Sequence, residues 1–334
     1  MLHIFLSRSC CSIYPVKITR SKAVLGLPGE DKPECMSWSD MNNPVVVQQQ
    51  TVILTEEGRE DARELVAVEQ PYRVALNDRE IGSSMVLATG LEEFGAGFLF
   101  GQGYIDHPGQ VREVLVCPEG RIEVHADVEE DFAPKEVIIT SGCGGTGKIS
   151  REMLEGRIVP LQEYSLGFAE AGEFIRQVLL ASDLGQKTHC VHGCGLWAEG
   201  RMQVFFEDIG RHNAVDKLIG KAFLAGMAMD DKILLSSGRI SGEIMTKVVR
   251  NRIPVLGSRT APTCMSITTA ADHGVTLIAF ARGGRMNIYT HPCNIRIMAD
   301  SPHAGSGEEC SLPRQGDARQ MEPLPAAVAR EALL

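Results

Sequence analysis

From about residue 200 onward, short apolar runs alternate with amphipathic stretches, and this rhythm narrows the fold more than any other feature of the chain. Val204–Phe206, Ile233–Leu235, Pro254–Leu256 and Thr276–Phe280 read as strands. Helical spacing lies between them, over Ala214–Ala225 with Gly226 as the stop, near Gly242–Arg250 and near Pro262–Ala271. Strands that alternate with helices predict a layered α/β domain. Ligands of such domains gather beyond the strand ends, where loops meet helix N-termini.

Upstream, Ser165 is placed to cap a helix that carries Phe168, Ala171, Gly172, Ile175, Val178 and Leu179 at i, i+3, i+4 and i+7 spacing. The first half reads as strand-rich α+β. Leu65–Gln70, Tyr72–Leu76 and Met85–Ala88 are extended segments, with a turn at Asn77-Asp78. A helix follows with Leu91, Phe94, Phe98 and Leu99 on one face, and then "PEG" joins Glu113–Cys117 to Arg121–Ala126 as a hairpin. Residues 1–48, with Pro15, Pro28, Pro33 and Pro44 and no sustained period, read as a poorly ordered leader. The expected division is 49–160 for an N-terminal domain, 161–300 for a C-terminal one and 301–334 for a loose tail.

Composition excludes some functions. The 334 residues carry a net charge of −10, which argues against a nucleic-acid-coating role. No apolar stretch nears the ~18 residues of a membrane span, and the first residues lack a signal-peptide core, so a cytoplasmic protein is expected. Ten cysteines at irregular spacings favour reduced thiols over a disulfide framework.

Four loops concentrate the chemistry. "GRHNA" (210–214), "SGRISGE" (237–243) and "SRTAPT" (258–263) enter helices, and "FARGGR" (280–285) follows a strand. Arg211, Arg239, Arg259, Arg282 and Arg285 thereby fall at strand ends, where guanidinium forks and helix N–H groups together suit an anionic ligand. A fifth loop, "TSGCGGTGK" (140–148), offers two readings. Gly142 and Gly147-Lys148 imitate a P-loop, but Ile149 stands where the magnesium-binding hydroxyl belongs. The other reading is a thiol, Cys143, held among glycines and next to Lys148, in a setting that favours a thiolate. "HCVHGC" brings His189, Cys190, His192 and Cys194 too close together for one tetrahedral metal site, and a structural role is expected.

The stretches "EDIGRHNAVDKLIG", "SSGRISGEIMTKV", "IPVLGSRTAPT" and "FARGGRMNIYTHP" resemble the FdhD family, sulfur carrier proteins required for active formate dehydrogenase. "EQPYRVALN", "LEEFGAGFLFGQGYI" and the glycine-flanked Cys143 stand in the family's order, so the likeness covers about 65–295. It implies a small N-terminal α/β domain and a three-layer C-terminal domain like cytidine deaminase, usually as a homodimer. It also implies that Cys143 accepts sulfur as a persulfide from a cysteine desulfurase. The sulfur then passes to the molybdenum (or tungsten) of a bis-molybdopterin guanine dinucleotide cofactor, which the formate dehydrogenase catalytic subunit receives. By the same likeness Phe280, Ala281, Arg282, Gly283, Gly284 and Arg285 contact that cofactor. His212 and Asn213 help to orient it beside Arg211, Arg239 and Arg259. Two departures matter. Thr146 replaces the second thiol of the family's C-x-x-C, leaving Cys190 or Cys194 as substitutes and a non-catalytic cofactor-binding chaperone as the alternative. "HNA" and "PTCMS" lack the Glu and second Cys of a zinc deaminase, so the fold carries no deaminase function with it.

Overall fold

The structure is a computed structural model, and it describes residues 44–129, 154, 159, 164–282 and 285–298. It opens with a ribbon of two antiparallel ten-residue strands, β1 (Val46–Thr55) and β2 (Gly58–Ala67). β3 (Glu69–Leu76) and β4 (Arg79–Leu87) form a hairpin whose turn residues, Asn77 and Asp78, both take positive φ (49° and 67°). That is the conformation a two-residue turn needs to match strand twist. Asn77 also exchanges two 2.9 Å hydrogen bonds with the backbone of Ala126. After helix α1 (Leu91–Gly101) come β5 (Val111–Cys117) and β6 (Arg121–Ala126), completing a four-stranded sheet of order β4-β3-β6-β5.

The second half contains β7 (Tyr164–Gly167), α2 (Phe168–Ala181), α3 (Asp183–Thr188), β8 (His192–Ala198) and β9 (Arg201–Asp208). Next come α4 (Arg211–Leu224), β10 (Ile233–Ser236), α5 (Gly242–Arg250), β11 (Val255–Ser258) and α6 (Cys264–His273). β12 (Thr276–Arg282), β13 (Arg285–Ile288) and β14 (Ile295–Met298) complete the described chain. Six strands form one sheet, β13-β12-β11-β10-β8-β9, in which β10, β11 and β12 run parallel.

Side-chain alternation makes this half three-layered. Leu234, Leu256 and Leu277 face a core shared with α4, α5 and α6. Ile233, Leu235, Val255 and Ile278 face Phe174, Ile175 and Val178 of α2, where Phe174 stacks on Trp197 at 4.1 Å. Each such side chain contributes roughly 1.5–3 kcal/mol by leaving water.

The two halves share one core, because α1 lies on the four-stranded sheet and also against α4. Glycine makes this crossing possible. A Cβ on Gly97 would lie 1.9 Å from the Asp216 carbonyl oxygen, and one on Gly220 would lie 1.8 Å from that of Glu93. Three glycines in an eleven-residue helix lower its propensity, and burial of nearly its whole length offsets the cost.

Several elements differ from the sequence reading. β1 begins at Val46, inside the stretch expected to be leader, and Leu65–Gln70 divides at Val68 between β2 and β3. The ribbon is almost wholly exposed, so no apolar alternation marks it. Ser165 is no helix cap; it lies within β7, paired in parallel with β14. α4 starts at Arg211 rather than Ala214, and β8, running through the "HCVHGC" stretch, is a further strand. The expectation of reduced cysteines does not hold at Cys293, which is disulfide-bonded. No helix among the described residues is long and apolar enough to cross a membrane.

Candidate functional site

The direction of the strands gathers the four cationic loops. β10, β11 and β12 are parallel, so their C-terminal ends share one rim of the sheet. β8 runs opposite to β10 and β9 opposite to β8, which puts the start of β8 and the end of β9 on that same rim. The N-termini of α4, α5 and α6 open there, with Ser241 capping α5 and Thr263 capping α6 in a capping box. Backbone bonds tie neighbouring loops to one another: Ser237 N to Gly193 O at 2.9 Å, Ile240 N to Ala261 O at 3.1 Å and Phe280 N to Thr260 O at 3.2 Å.

Arg211 is buried on this rim, yet its Nε has no hydrogen-bond partner. A Cβ on Gly238 would lie 2.9 Å from Cβ of Arg211 and 3.4 Å from Nδ1 of His192, so only glycine lets these three residues meet. Burial pushes the His192 imidazole down, and Arg211 and Arg239 beside it push it further. Arg239, Arg259, Arg282 and Arg285 are exposed. Among the described residues none of the five arginines forms an ion pair. Arg282 and Arg285 stand directly opposite each other across the β12–β13 hairpin, an arrangement that repels unless an anion joins it. Next to this pair, Phe280 is held at φ 51° beside a bulge, a costly conformation for a bulky side chain.

Behind the rim the polar groups are densely paired. Asp208 Oδ1 accepts from Gly210 N and Asn213 Nδ2, both at 2.9 Å, while Oδ2 accepts from Leu87 N at 3.0 Å and pairs with Lys217 at 2.6 Å. Lys217 also donates to Leu87 O at 3.0 Å, and burial pushes its pKa down. Asn213 spends its amide on Met85 O and Asp208 and accepts from Ser84. Deeper still, Lys247 pairs with Asp216 at 2.7 Å and with Glu243 at 3.5 Å. Burial alone would lower the Lys247 pKa, but the two carboxylates together raise it. His212 lies 2.9 Å from Ser241 Oγ and 3.4 Å from Glu243, and burial pushes its pKa down to about 4. These groups border a cavity of ≈ 20 Å³ together with Ser83, Ser84 and Gln102, enough for one water.

Residues 67–296 match the model of the FdhD/NarQ family. The chain belongs to the FdhD/NarQ family. Among curated relatives, the sulfur carrier protein FdhD of Wolinella succinogenes is 34% identical over 247 residues, covering 72% of this chain and 85% of that one. The sulfur carrier protein FdhD of Sulfolobus acidocaldarius is 31% identical, covering 72% and 94%. A crystal structure of a protein assigned as a formate dehydrogenase accessory protein, from Desulfotalea psychrophila, superposes with a TM-score of 0.65 at 46% identity. It covers 76% of this chain and all of its own.

In this FdhD/NarQ member the rim brings together Arg211, Arg239, Arg259, Phe280, Ala281, Arg282 and Arg285. Ala281 is buried between Phe280 and Arg282. His212 and Asn213 point into the packed network behind the rim. Gly283, Gly284 and the Cys143 loop lie outside the described residues. The two candidate second thiols separate clearly. Cys190 is exposed two residues before β8, whereas Cys194 is wholly buried and burial pushes its thiol up. Sequence reading did not single out the Asp208–Lys217 pair or Glu243, although Asp208 and Lys217 sit inside the quoted "EDIGRHNAVDKLIG".

Proposed function

We propose that this chain is a sulfur carrier for formate dehydrogenase that takes sulfur on Cys143 and delivers it to a molybdenum (or tungsten) bis-molybdopterin guanine dinucleotide cofactor bound at the arginine rim. The observation that carries this reading is Arg211, a buried guanidinium with an unpartnered Nε where the loops converge. A buried cation without a counter-charge is costly, and an anionic ligand removes the cost. The names borne by the family relatives, sulfur carrier and formate dehydrogenase accessory protein, support the same reading.

The chemistry divides between thiol and rim. The Cys143 thiolate attacks the outer sulfur of a persulfide on a cysteine desulfurase; the donor's S–S bond breaks and the donor thiolate leaves. Later the outer sulfur passes to the metal as sulfide, the Cys143 thiolate returns, and the two electrons come from the reduced metal. The rim's part is binding. The cofactor's two pyrophosphates suit paired guanidinium forks and the N-termini of α4, α5 and α6. His212 stays neutral near pH 7, so the cationic character belongs to the arginines.

The test uses the full-length protein with a cysteine desulfurase and cysteine. Intact mass and peptide mapping should show one added sulfur on Cys143, absent from Cys143→Ala. GDP serves as the probe for the rim, and Arg211→Ala should weaken its binding about tenfold. Persulfide untouched by Cys143→Ala removes that residue from the role. A Cys143→Ala protein that still activates formate dehydrogenase in cells points instead to a chaperone that only holds the cofactor or the apo-enzyme.

A further inference from the structure

His192 opens β8 on the rim and is half-buried there. Side chains alternate along a strand, so it shares the α4 side of β8 with Cys194 and Leu196. Gly238 brings it against the anion site. A Cβ on that glycine would lie 3.2 Å from Cδ of Arg211 and 3.4 Å from Nδ1 of His192. The ring is therefore a neighbour of the unpartnered Arg211 Nε, which is bonded to that Cδ. Among the described residues the ring has one hydrogen-bond partner, Ser237 Oγ, which Nδ1 meets at 3.4 Å. That is near the outer limit of such a bond, and the same hydroxyl already accepts from Gly193 N at 3.0 Å. Nε2 is left for another partner.

The charges around the ring are unbalanced. Arg211 of α4 and Arg239 of the loop after β10 are the cations that face it. Asp208 stands opposite it across the β8–β9 pair, but that carboxylate is paired with Lys217 at 2.6 Å. β10 is ILLS and brings no titratable group, and His212 behind the ring stays neutral near pH 7. α2, with its Glu173–Arg176 pair, packs on the far face of the sheet. Burial and the two guanidiniums accordingly hold the ring below the ordinary histidine range. An anion set between those guanidiniums reverses the sign of the field they impose.

We infer that His192 is a further arm of the anion site beside Arg211 and Arg239: it takes up a proton from solvent as a pyrophosphate-bearing nucleotide settles against Arg211, and donates through Nε2 to that anion. The inference rests on the reading of the rim as the place where the cofactor's pyrophosphates bind. Its charge is then present only together with the ligand, so no third buried cation has to be held against the two arginines. Binding and protonation are linked. The ligand binds more tightly as pH falls, and the gain is lost as pH rises through the histidine's ligand-bound pKa.

The experiment is titration calorimetry of the full chain near pH ~6.5, in two phosphate-free buffers of matched ionic strength and different ionisation enthalpy. Diguanosine pyrophosphate is the probe. Its diester phosphates do not titrate in this range, so any proton taken up belongs to the protein. The wild type should take up about half a proton or more per ligand bound, and its affinity should fall about tenfold from pH ~5.5 to pH ~8. His192→Gln keeps a neutral hydrogen-bonding side chain. It should take up no proton and bind at pH ~5.5 as weakly as the wild type does at pH ~8. A nitrogen-15 histidine spectrum is the second measurement. On ligand addition one ring should pass from the neutral to the protonated pattern, and that ring's signals should be missing from His192→Gln or, if that variant does not fold, from His192→Asn. Binding without proton uptake, or uptake that the variants leave unchanged, overturns the inference while the rim reading stands. Binding of GDP without binding of the dinucleotide overturns it in the same way. A protein that binds neither probe overturns the rim reading and this inference together.

Discussion

The two faces of the α4 N-terminal turn obey opposite rules. Toward the interior, Asp208, Asn213 and Lys217 are hydrogen-bonded and ion-paired to one another and to β4, and they fasten β4 to α4. Toward the rim, Arg211 is buried almost as deeply and leaves its Nε unpartnered. Residues adjacent in sequence thus divide into a seal and a socket. Burial is nearly equal on the two faces, so burial alone does not distinguish them; the count of unmade hydrogen bonds does.

Breaking the seal has the largest expected effect. Lys217→Ala leaves Asp208 charged, buried and without its ion pair, and should cost about 3–5 kcal/mol, read as a lower denaturation midpoint. Gly97→Ala forces a methyl onto the Asp216 carbonyl and should cost about 3 kcal/mol or more, because backbone cannot move aside as a side-chain tip does. The pH dependence of the seal comes next. His212 stays unprotonated in the fold down to about 4, whereas an unfolded histidine takes up its proton near ~6.5. Between these values the unfolded histidine binds more proton than the folded one, so the His212 contribution to stability is lost as pH falls, reaching about 3 kcal/mol at the acid end, while Asp216, raised to about 6 by burial, acts in the opposite sense. His212→Asn should flatten that slope in thermal melts at pH 7 and pH 4.5.

The socket should respond in the reverse sense. Arg211→Met removes a buried charge that has no internal partner, and its stability should stay within about 1 kcal/mol of wild type while GDP affinity falls about tenfold. Arg285→Ala, at the exposed hairpin, should lower affinity only a few-fold and leave the melt unchanged. A variant of Arg211 that unfolds the protein would show that the seal extends through it and would remove the contrast.

Much of this was legible in the sequence. The alternating strands and helices of the second half, the Asn77-Asp78 turn and the hairpin around "PEG" follow from periodicity and turn chemistry, which are local. The arginine loops were legible as a set because each follows a strand. The ribbon was not, since an exposed strand pair has no buried face to imprint a period. Nor was the division of "GRHNA" into Arg211 on the rim and His212 and Asn213 behind it. Those directions diverge within one helical turn, and a sequence does not say which side is covered.

The sequence by itself determined the alternation of strands and helices through most of the second half, the family and the residue types available for binding an anion. Only the tertiary structure decided which of those residues are already spent. Asn213 and Lys217 are consumed by Met85, Leu87 and Asp208, groups up to 130 residues away in the chain. The crossing of α1 on α4 likewise depends on Gly97 and Gly220 meeting at contact distance. The physical reason is the same in both cases: hydrogen-bond saturation and close packing are properties of pairs, and distant partners become pairs only when the chain has folded.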